Sequence, residues 1–407
     1  MRVLVLTFYY EPDLSAGSFR TTALVAALRE RAPTGTQIDV VTTLPNRYHS
    51  YAQLAEQREV GEGLEIRRIA LPPHRSDMSG QSRAFLTFAR QALAHVSGRD
   101  YDLIVATSSR LMTATLGAWI ARRKRACLYL DIRDIFVDTI PQLLPRSLAW
   151  PARAVLAQVE SWTMRRADRI NLVSRGFEGY FRTRYPARVL SWFTNGIDEE
   201  FLAVAPQAAT ARPARGPVTV LYAGNIGQGQ ALHEILPALA AALRGRARFV
   251  VIGDGGRRAA LERAVAGLDN VELQAPLPRP ALLAAYRAAD VLFLHLGVQR
   301  AFEKVLPSKV FEYAALGKPV LAGVAGYAAR FLRDEVVNSA VFPPGDVAAA
   351  VQAFDSLELI DRPRPEFVAR YARASIARAM ASDILALPRR PALAPGGRPA
   401  NTWNDSH

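Results

Sequence analysis

Two short stretches of this chain combine residue types that can hold a nucleoside diphosphate. The first is Pro307-Ser308-Lys309-Val310-Phe311-Glu312, where polar residues open an apolar-periodic run that Gly317-Lys318-Pro319 ends. A helix starting here would offer a phosphate the amides of Ser308 and Val310, with Lys309 as counter-charge. Glu312, about a turn further on, could accept two vicinal ribose hydroxyls. The second stretch is Gly224-Asn225-Ile226-Gly227-Gln228-Gly229-Gln230, directly after the apolar run VTVLYA. Glycines at the end of a strand let backbone approach a diphosphate, because no Cβ intervenes and φ is free. Gly253 and Gly255, after RFVVI, form a similar but less specific turn.

A third group supplies charge without glycine. Arg133 and Asp134 follow the apolar run CLYLDI, so they should emerge at the C-terminal end of a strand. There the pair could meet a ligand in a cleft; a structural ion pair is the competing reading. The loop after the first strand, Glu11 to Arg20, carries Gly17, Ser18 and Arg20 and lacks the G-x-G-x-x-G of a dinucleotide fold. The six histidines are scattered and Cys127 is the only cysteine, so no metal site is expected. Of the histidines, His295 alone should lie near the cleft.

These residues need strands and helices to converge. At 407 residues the chain exceeds the size of one growing core, and two domains are expected. Short β runs alternate with helical patterns at 18–31, 81–97, 110–124 and 150–168, and the rhythm resumes after the Ala-, Pro- and Arg-rich segment 201–217. The expectation is an α/β fold of two Rossmann-like doubly wound parallel sheets: an acceptor domain at 1–195 and a donor-nucleotide domain at 196–363. An amphipathic helix at 364–387 and a disordered tail at 388–407 would complete the chain.

The run PSK-x-FEY-x-A-x-GKP resembles the donor motif of glycosyltransferase family 4, the retaining GT-B sugar transferases. It looks most like the bacterial lipopolysaccharide and capsule branch and is similar to its N-acetyl-L-fucosamine transferases. The resemblance reaches to about residue 385. It implies two domains facing across a cleft, with the last helix returning to the first domain and Thr194-Asn195-Gly196-Ile197-Asp198 marking the crossing. It implies a donor site of Gly17, Ser18, Arg20, Gly224, Asn225, Gly227, Gly253, Gly255, Lys304, Ser308, Lys309, Val310 and Glu312, and catalysis involving Asp134, Arg133, Lys309 and Glu312. The sequence departs from the family at three places. Lys304, with Glu303 beside it, stands where a first Glu is usual; Gln228 and Gln230 replace basic residues; Phe136 and Val137 replace Trp and Pro after the Arg-Asp pair.

The activity implied is metal-independent transfer of a sugar from a nucleotide-sugar, UDP-linked by expectation, to a lipid-linked or saccharide acceptor in surface polysaccharide synthesis. No cofactor is expected. A GT-B nucleotide-sugar 2-epimerase and a non-catalytic nucleotide-sugar-binding partner are the alternatives. The net charge of +14 falls unevenly, with 27 Lys and Arg against 17 Asp and Glu in residues 1–195. An anionic membrane surface could account for that excess, as could an arginine-rich genome; no nucleic-acid partner is expected. Two apolar-basic stretches, 83–90 and 140–150, suit a headgroup boundary. The apolar start MRVLVLTFYY is short and followed by acids, and no apolar run approaches about 18 residues, so a cytoplasmic protein, soluble or peripheral at the inner membrane face, is expected.

Overall fold

The central first-half β runs, RVLVL, LIVAT and CLYLDI, are mostly apolar because helices cover both of their faces. Val3, Leu4, Val5 and Leu6 are fully buried, as are Ile104, Val105, Ala106, Tyr129 and Leu130. The computed structural model describes residues 1–13, 15–45, 55–72, 78–108, 111–138, 146–211 and 216–388. The expected tail from 389 onward and most of the 140–150 stretch lie outside them.

The first sheet contains β1 (Arg2–Leu6), β2 (Gln37–Thr43), β3 (Arg58–Gly61), β4 (Leu64–Ile69), β5 (Leu103–Thr107), β6 (Cys127–Ile132), β7 (Arg169–Leu172) and β8 (Leu190–Ser191). Their order is β3-β4-β2-β1-β5-β6-β7-β8, parallel except for β3, an exposed edge strand antiparallel to β4. The linker strand β9 (Thr210–Ala211) precedes the second sheet, formed by β10 (Val218–Ala223), β11 (Ala247–Ile252), β12 (Val271–Gln274), β13 (Val291–His295), β14 (Val320–Gly323) and β15 (Ser339–Phe342). Its order is β12-β11-β10-β13-β14-β15, all parallel, and β16 (Ile360–Asp361) pairs with β9. The strand order reverses beside β1 in one sheet and beside β10 in the other. At such a switch point the flanking loops splay apart and leave a crevice.

The chain crosses between the sheets twice, and the two crossings touch. Ile197 N–H donates to Tyr371 O at 2.8 Å, and Arg373 N–H donates to Ile197 O at 2.9 Å. A Cβ on Gly196 would meet Arg373 Cα at 2.6 Å, so this close approach needs glycine. The pairing also splits the single helix expected over 364–387. Pro365–Tyr371 ends where Ala372 leaves helical geometry to bridge Ile197, and Arg373–Leu385 begins beyond it. Phe367 and Tyr371 stay with the second core against Phe311 and Phe331. Met380, Ala381 and Ile384 instead join the first core with Val3, Leu24 and Leu28, on the helix Ala16–Arg31 side of its sheet. Each fully buried large apolar side chain of this kind contributes about 1.5–3 kcal/mol.

Candidate active site

A cavity of about 410 Å³ opens at the two switch points. Ser15, Ala16, Phe19 and Asp134 line it from the first sheet; Gly224, Asn225, Gly253, Lys309 and Glu312 are among those that line it from the second.

The second-sheet wall is built by close backbone contact. Gly224 has φ +134° and Gly253 has φ +151°. A Cβ on Gly253 would sit 1.9 Å from Gly224 O, and one on Gly255 would sit 2.6 Å from Ile226 O, so the two glycine turns lie back to back. Gln230 ties the first turn: its Oε1 accepts from Asn225 Nδ2 at 2.8 Å and from Gly227 N–H at 3.2 Å. Arg258 ties the second by donating to Gly253 O and to Gln274 O. His295, buried at the end of β13, lies 2.8 Å through Nδ1 from Gln230 O and accepts from Gly345 N–H at 3.2 Å through Nε2. Those partners fix the tautomer with hydrogen on Nδ1, and burial lowers the ring pKa, so the imidazole stays neutral.

Lys309 and Glu312 share the short helix Lys309–Ala315. Lys309 Nζ lies 3.8 Å from the centre of the Tyr222 ring. Both side chains face the cavity and keep part of their surface open to it, while protein packs densely around them. Burial lowers the Lys309 pKa from 10.5 to about 7, against the pull of Glu312. Burial raises that of Glu312, opposed by Arg279. An ammonium poised in this way gains most when an anion enters. Arg279 stands at the same wall, bound to Asp198 and Glu200, with its guanidinium 4.2 Å from the ring of Phe19 across the cleft.

Several expected site residues sit elsewhere, each for a physical reason. Arg20 is buried and holds both oxygens of Asp131 at 2.8 and 2.9 Å, besides the carbonyls of Phe193 and Thr194 at 2.7 and 2.6 Å. Burial alone would raise the Asp131 carboxyl, but Arg20, Arg133 and Asn171 bring it below its usual range. Gly17 and Ser18 turn into the first domain, leaving Ser15, Ala16 and Phe19 on the cavity side. Val310 is buried, and its N–H donates to Pro307 O at 3.2 Å, so that amide is already used; Ser308 does line the cavity. Gly227 and Gly255 back the wall without lining it.

Lys304 also lies outside the cavity lining. Its ammonium is 2.5 Å from Asp138 of the first domain, and its carbonyl accepts from Ser174 Oγ at 2.6 Å. Where the family motif has a carboxylate, this chain has one half of an interdomain ion pair. Arg133 lies inward of Asp134. Burial and the neighbouring Arg20 lower its pKa to about 10. Glu160 accepts from Tyr180 and Tyr185 hydroxyls at 2.6 and 2.9 Å and is a packing residue. Phe19, Arg258, Arg279 and Phe302 were not singled out by sequence. Only Arg279 left a local signal, a Pro-initiated helix start at Pro278-Arg279-Pro280.

Among the described residues no group of three or more His, Cys, Asp or Glu is arranged to hold a metal ion. No helix of the described residues is long and apolar enough to cross a membrane.

Two family models match the chain. The glycosyl transferase 4-like domain covers residues 17–191, and glycosyl transferases group 1 covers residues 217–358. Glycogen synthase of Mycobacterium tuberculosis is 24% identical over 88% of this chain and 86% of its own length. The putative colanic acid biosynthesis glycosyl transferase WcaI of Escherichia coli K12 is 34% identical over 102 residues, 24% of each chain. Sucrose-phosphate synthase from Thermosynechococcus elongatus superposes with a TM-score of 0.68 over 94% of this chain and 97% of its own, at 17% identity.

Proposed function

The chain is a group 1 glycosyltransferase of the family 4 type with the GT-B fold, and we propose that it moves a sugar, with retention and without a metal, from a UDP-sugar to an alcohol acceptor of surface polysaccharide synthesis. The observation that carries the donor assignment is the placement of Lys309 and Glu312 on one wall with Gly224, Asn225 and Gly253. The diphosphate is assigned to Lys309 Nζ, Ser308 and the Gly224 turn, and the ribose to Glu312. In the transition state the leaving diphosphate gains negative charge, which a fixed ammonium and preoriented dipoles stabilise without reorganising. The base is assigned to the wall of Pro276, Leu277 and Leu282.

Asp134 is assigned to the acceptor hydroxyl. It lines the cavity from the opposite domain, at the C-terminal end of β6. With no protein nucleophile assigned, retention proceeds by same-face attack, in which the departing phosphate oxygen takes the acceptor proton and Asp134 orients that hydroxyl.

For the donor sugar we assign an N-acetylated deoxyhexose. Leu296, Phe302 and Val305 line the cavity, and Lys304 is committed to Asp138 where the motif usually supplies a carboxylate for sugar hydroxyls. An apolar wall suits a methyl or acetamido group better than a ring of hydroxyls. The surface-polysaccharide setting is supported by the WcaI match and by the apolar-basic sequence character of the first domain.

Thermal shift with UDP, GDP, UDP-N-acetylglucosamine and a UDP-N-acetyl-deoxyhexose tests the donor. A ligand present at 100 times its Kd stabilises by about 2.7 kcal/mol. UDP compounds should raise Tm and GDP should not. Release of UDP by the donor alone, with an altered sugar as product, would favour the epimerase; binding without turnover on any acceptor would favour the non-catalytic partner.

A further inference from the structure

We propose that the outer face of the helices Met78–Val96, Leu111–Lys124 and Arg146–Met164 is a docking surface for an anionic lipid bilayer. The three helices lie side by side on one side of the first sheet, packing Phe88, Ala114 and Met164 into a common core. The opposite side of that sheet is taken by Ala16–Arg31 and the returning helix Arg373–Leu385. The outer face therefore has no layer of this chain over it among the described residues.

Its chemistry is one-sided. Trp150 is 79% exposed, Val155 63%, Leu86 60% and Trp119 41%. These four share one helical layer, and aromatic rings beside cations suit the boundary between headgroups and acyl chains. The described side chains of these helices carry six Lys and Arg, among them the exposed Arg122, Arg123 and Arg153, and a single carboxylate, Glu160. Glu160 is buried beneath Tyr180 and Tyr185, so it contributes no negative charge to the surface. Arg123 stacks over Trp119 at 5.5 Å, pairing an apolar plane with a cation.

Charge complementarity selects the occupant. An anionic bilayer attracts every cation on the face while the tryptophans and aliphatics gain by burial, whereas a nucleic acid would use the cations and leave the aliphatics wet. A second copy of the chain would bring the same cations into mutual repulsion. Leu111–Lys124 and Arg146–Met164 each start at the end of the sheet that opens to the cleft, so Trp150, near the start of the second, lies toward that end, while Arg122 and Arg123, in the last turn of the first, lie toward the other. A lipid-linked acceptor could reach Asp134 from a bilayer held at the Trp150 end. The surface itself stands on its own residues, and its test needs no donor or acceptor.

The test is co-sedimentation of the full chain with vesicles of three parts phosphatidylcholine to one part phosphatidylglycerol, compared with phosphatidylcholine alone. The variants are Trp119→Ser with Trp150→Ser, and Arg122→Glu with Arg123→Glu. All four positions are exposed, and unchanged circular dichroism and UDP binding show that the fold is kept. The wild type should bind the anionic vesicles at low salt, release at high salt and ignore neutral ones. Each double variant should weaken binding by about tenfold or more, and the wild type's tryptophan emission should shift to the blue on binding. No binding at low salt would overturn the proposal. So would salt-sensitive binding that is unchanged in the tryptophan variant, or a self-associated wild type that this variant makes monomeric. Duplex DNA binding lost in the arginine variant, with vesicle binding intact, would assign the face to nucleic acid instead.

Discussion

The ammonium of Lys309 fills the space that a side chain on residue 224 would require. A Cβ built on Gly224 would lie 2.6 Å from Nζ and 2.5 Å from Cε. The glycine that frees the turn and the lysine that supplies its charge are thus one device, although 85 positions separate them in sequence.

Gly224→Ala should therefore disturb the site twice. The φ of +134° is unfavourable for alanine, at about 1–3 kcal/mol for a strained residue, and the methyl group displaces Lys309. Calorimetric UDP titration is expected to show affinity reduced by tenfold or more, with a lowered Tm. An unchanged affinity would mean that the turn does not meet the diphosphate.

The lowered pKa of Lys309 sets a pH window. Between about 7 and the unperturbed 10.5 the unfolded chain holds this proton and the empty folded site has released it, so this group's contribution to stability rises with pH across that range. Diphosphate binding favours the ammonium and raises its pKa. UDP affinity should fall above pH 7, approaching tenfold per unit, with proton uptake on binding. Titrations at pH 8.5 in two buffers of different ionisation enthalpy measure that uptake, and Lys309→Met should abolish it.

Arg20 and Asp131 form a buried pair, so their removal should act on stability. Arg20→Met leaves a carboxylate without its partner, which typically costs about 3–5 kcal/mol. Urea denaturation should show the loss, while UDP affinity of the folded fraction stays within a few fold. A selective loss of nucleotide binding at unchanged stability would return Arg20 to the donor site.

Asp134→Asn keeps the shape of the cavity wall and removes its charge. Turnover should fall by roughly 10²-fold or more if this carboxylate acts on the acceptor. UDP affinity should hold, because the donor contacts come from the other domain. Equal turnover in wild type and variant would place acceptor activation elsewhere.

The positions of Lys309, Glu312, Gly224 and Gly253 were legible in the sequence because each belongs to a strand-loop-helix unit whose parts are local. Asp134 was legible for the same reason, since a residue just past a buried parallel strand must emerge at the sheet's open end. The burial of Arg20 was not legible because its partner Asp131 lies 111 residues away, and a basic residue near a helix start looks the same whether it meets a ligand or a buried acid. The Lys304 pairing is hidden likewise, since Asp138 reaches it only when the domains face each other. The break at Ala372 has no Gly or Pro to announce it; it follows from the tertiary pairing with Ile197. Phe19 and Arg279 meet only across the cleft, a contact that neither local sequence encodes.

The central claim is that Lys309 and Glu312 hold a nucleoside diphosphate, and it is tested most directly by calorimetric titration of UDP into the wild type, Lys309→Met and Glu312→Gln. Loss of one charge-assisted hydrogen bond costs about 1.5–3 kcal/mol, so each variant should bind UDP at least about tenfold more weakly while keeping the wild-type circular dichroism and Tm within a few degrees. Should both folded variants bind UDP as tightly as the wild type, the donor site is not at this wall.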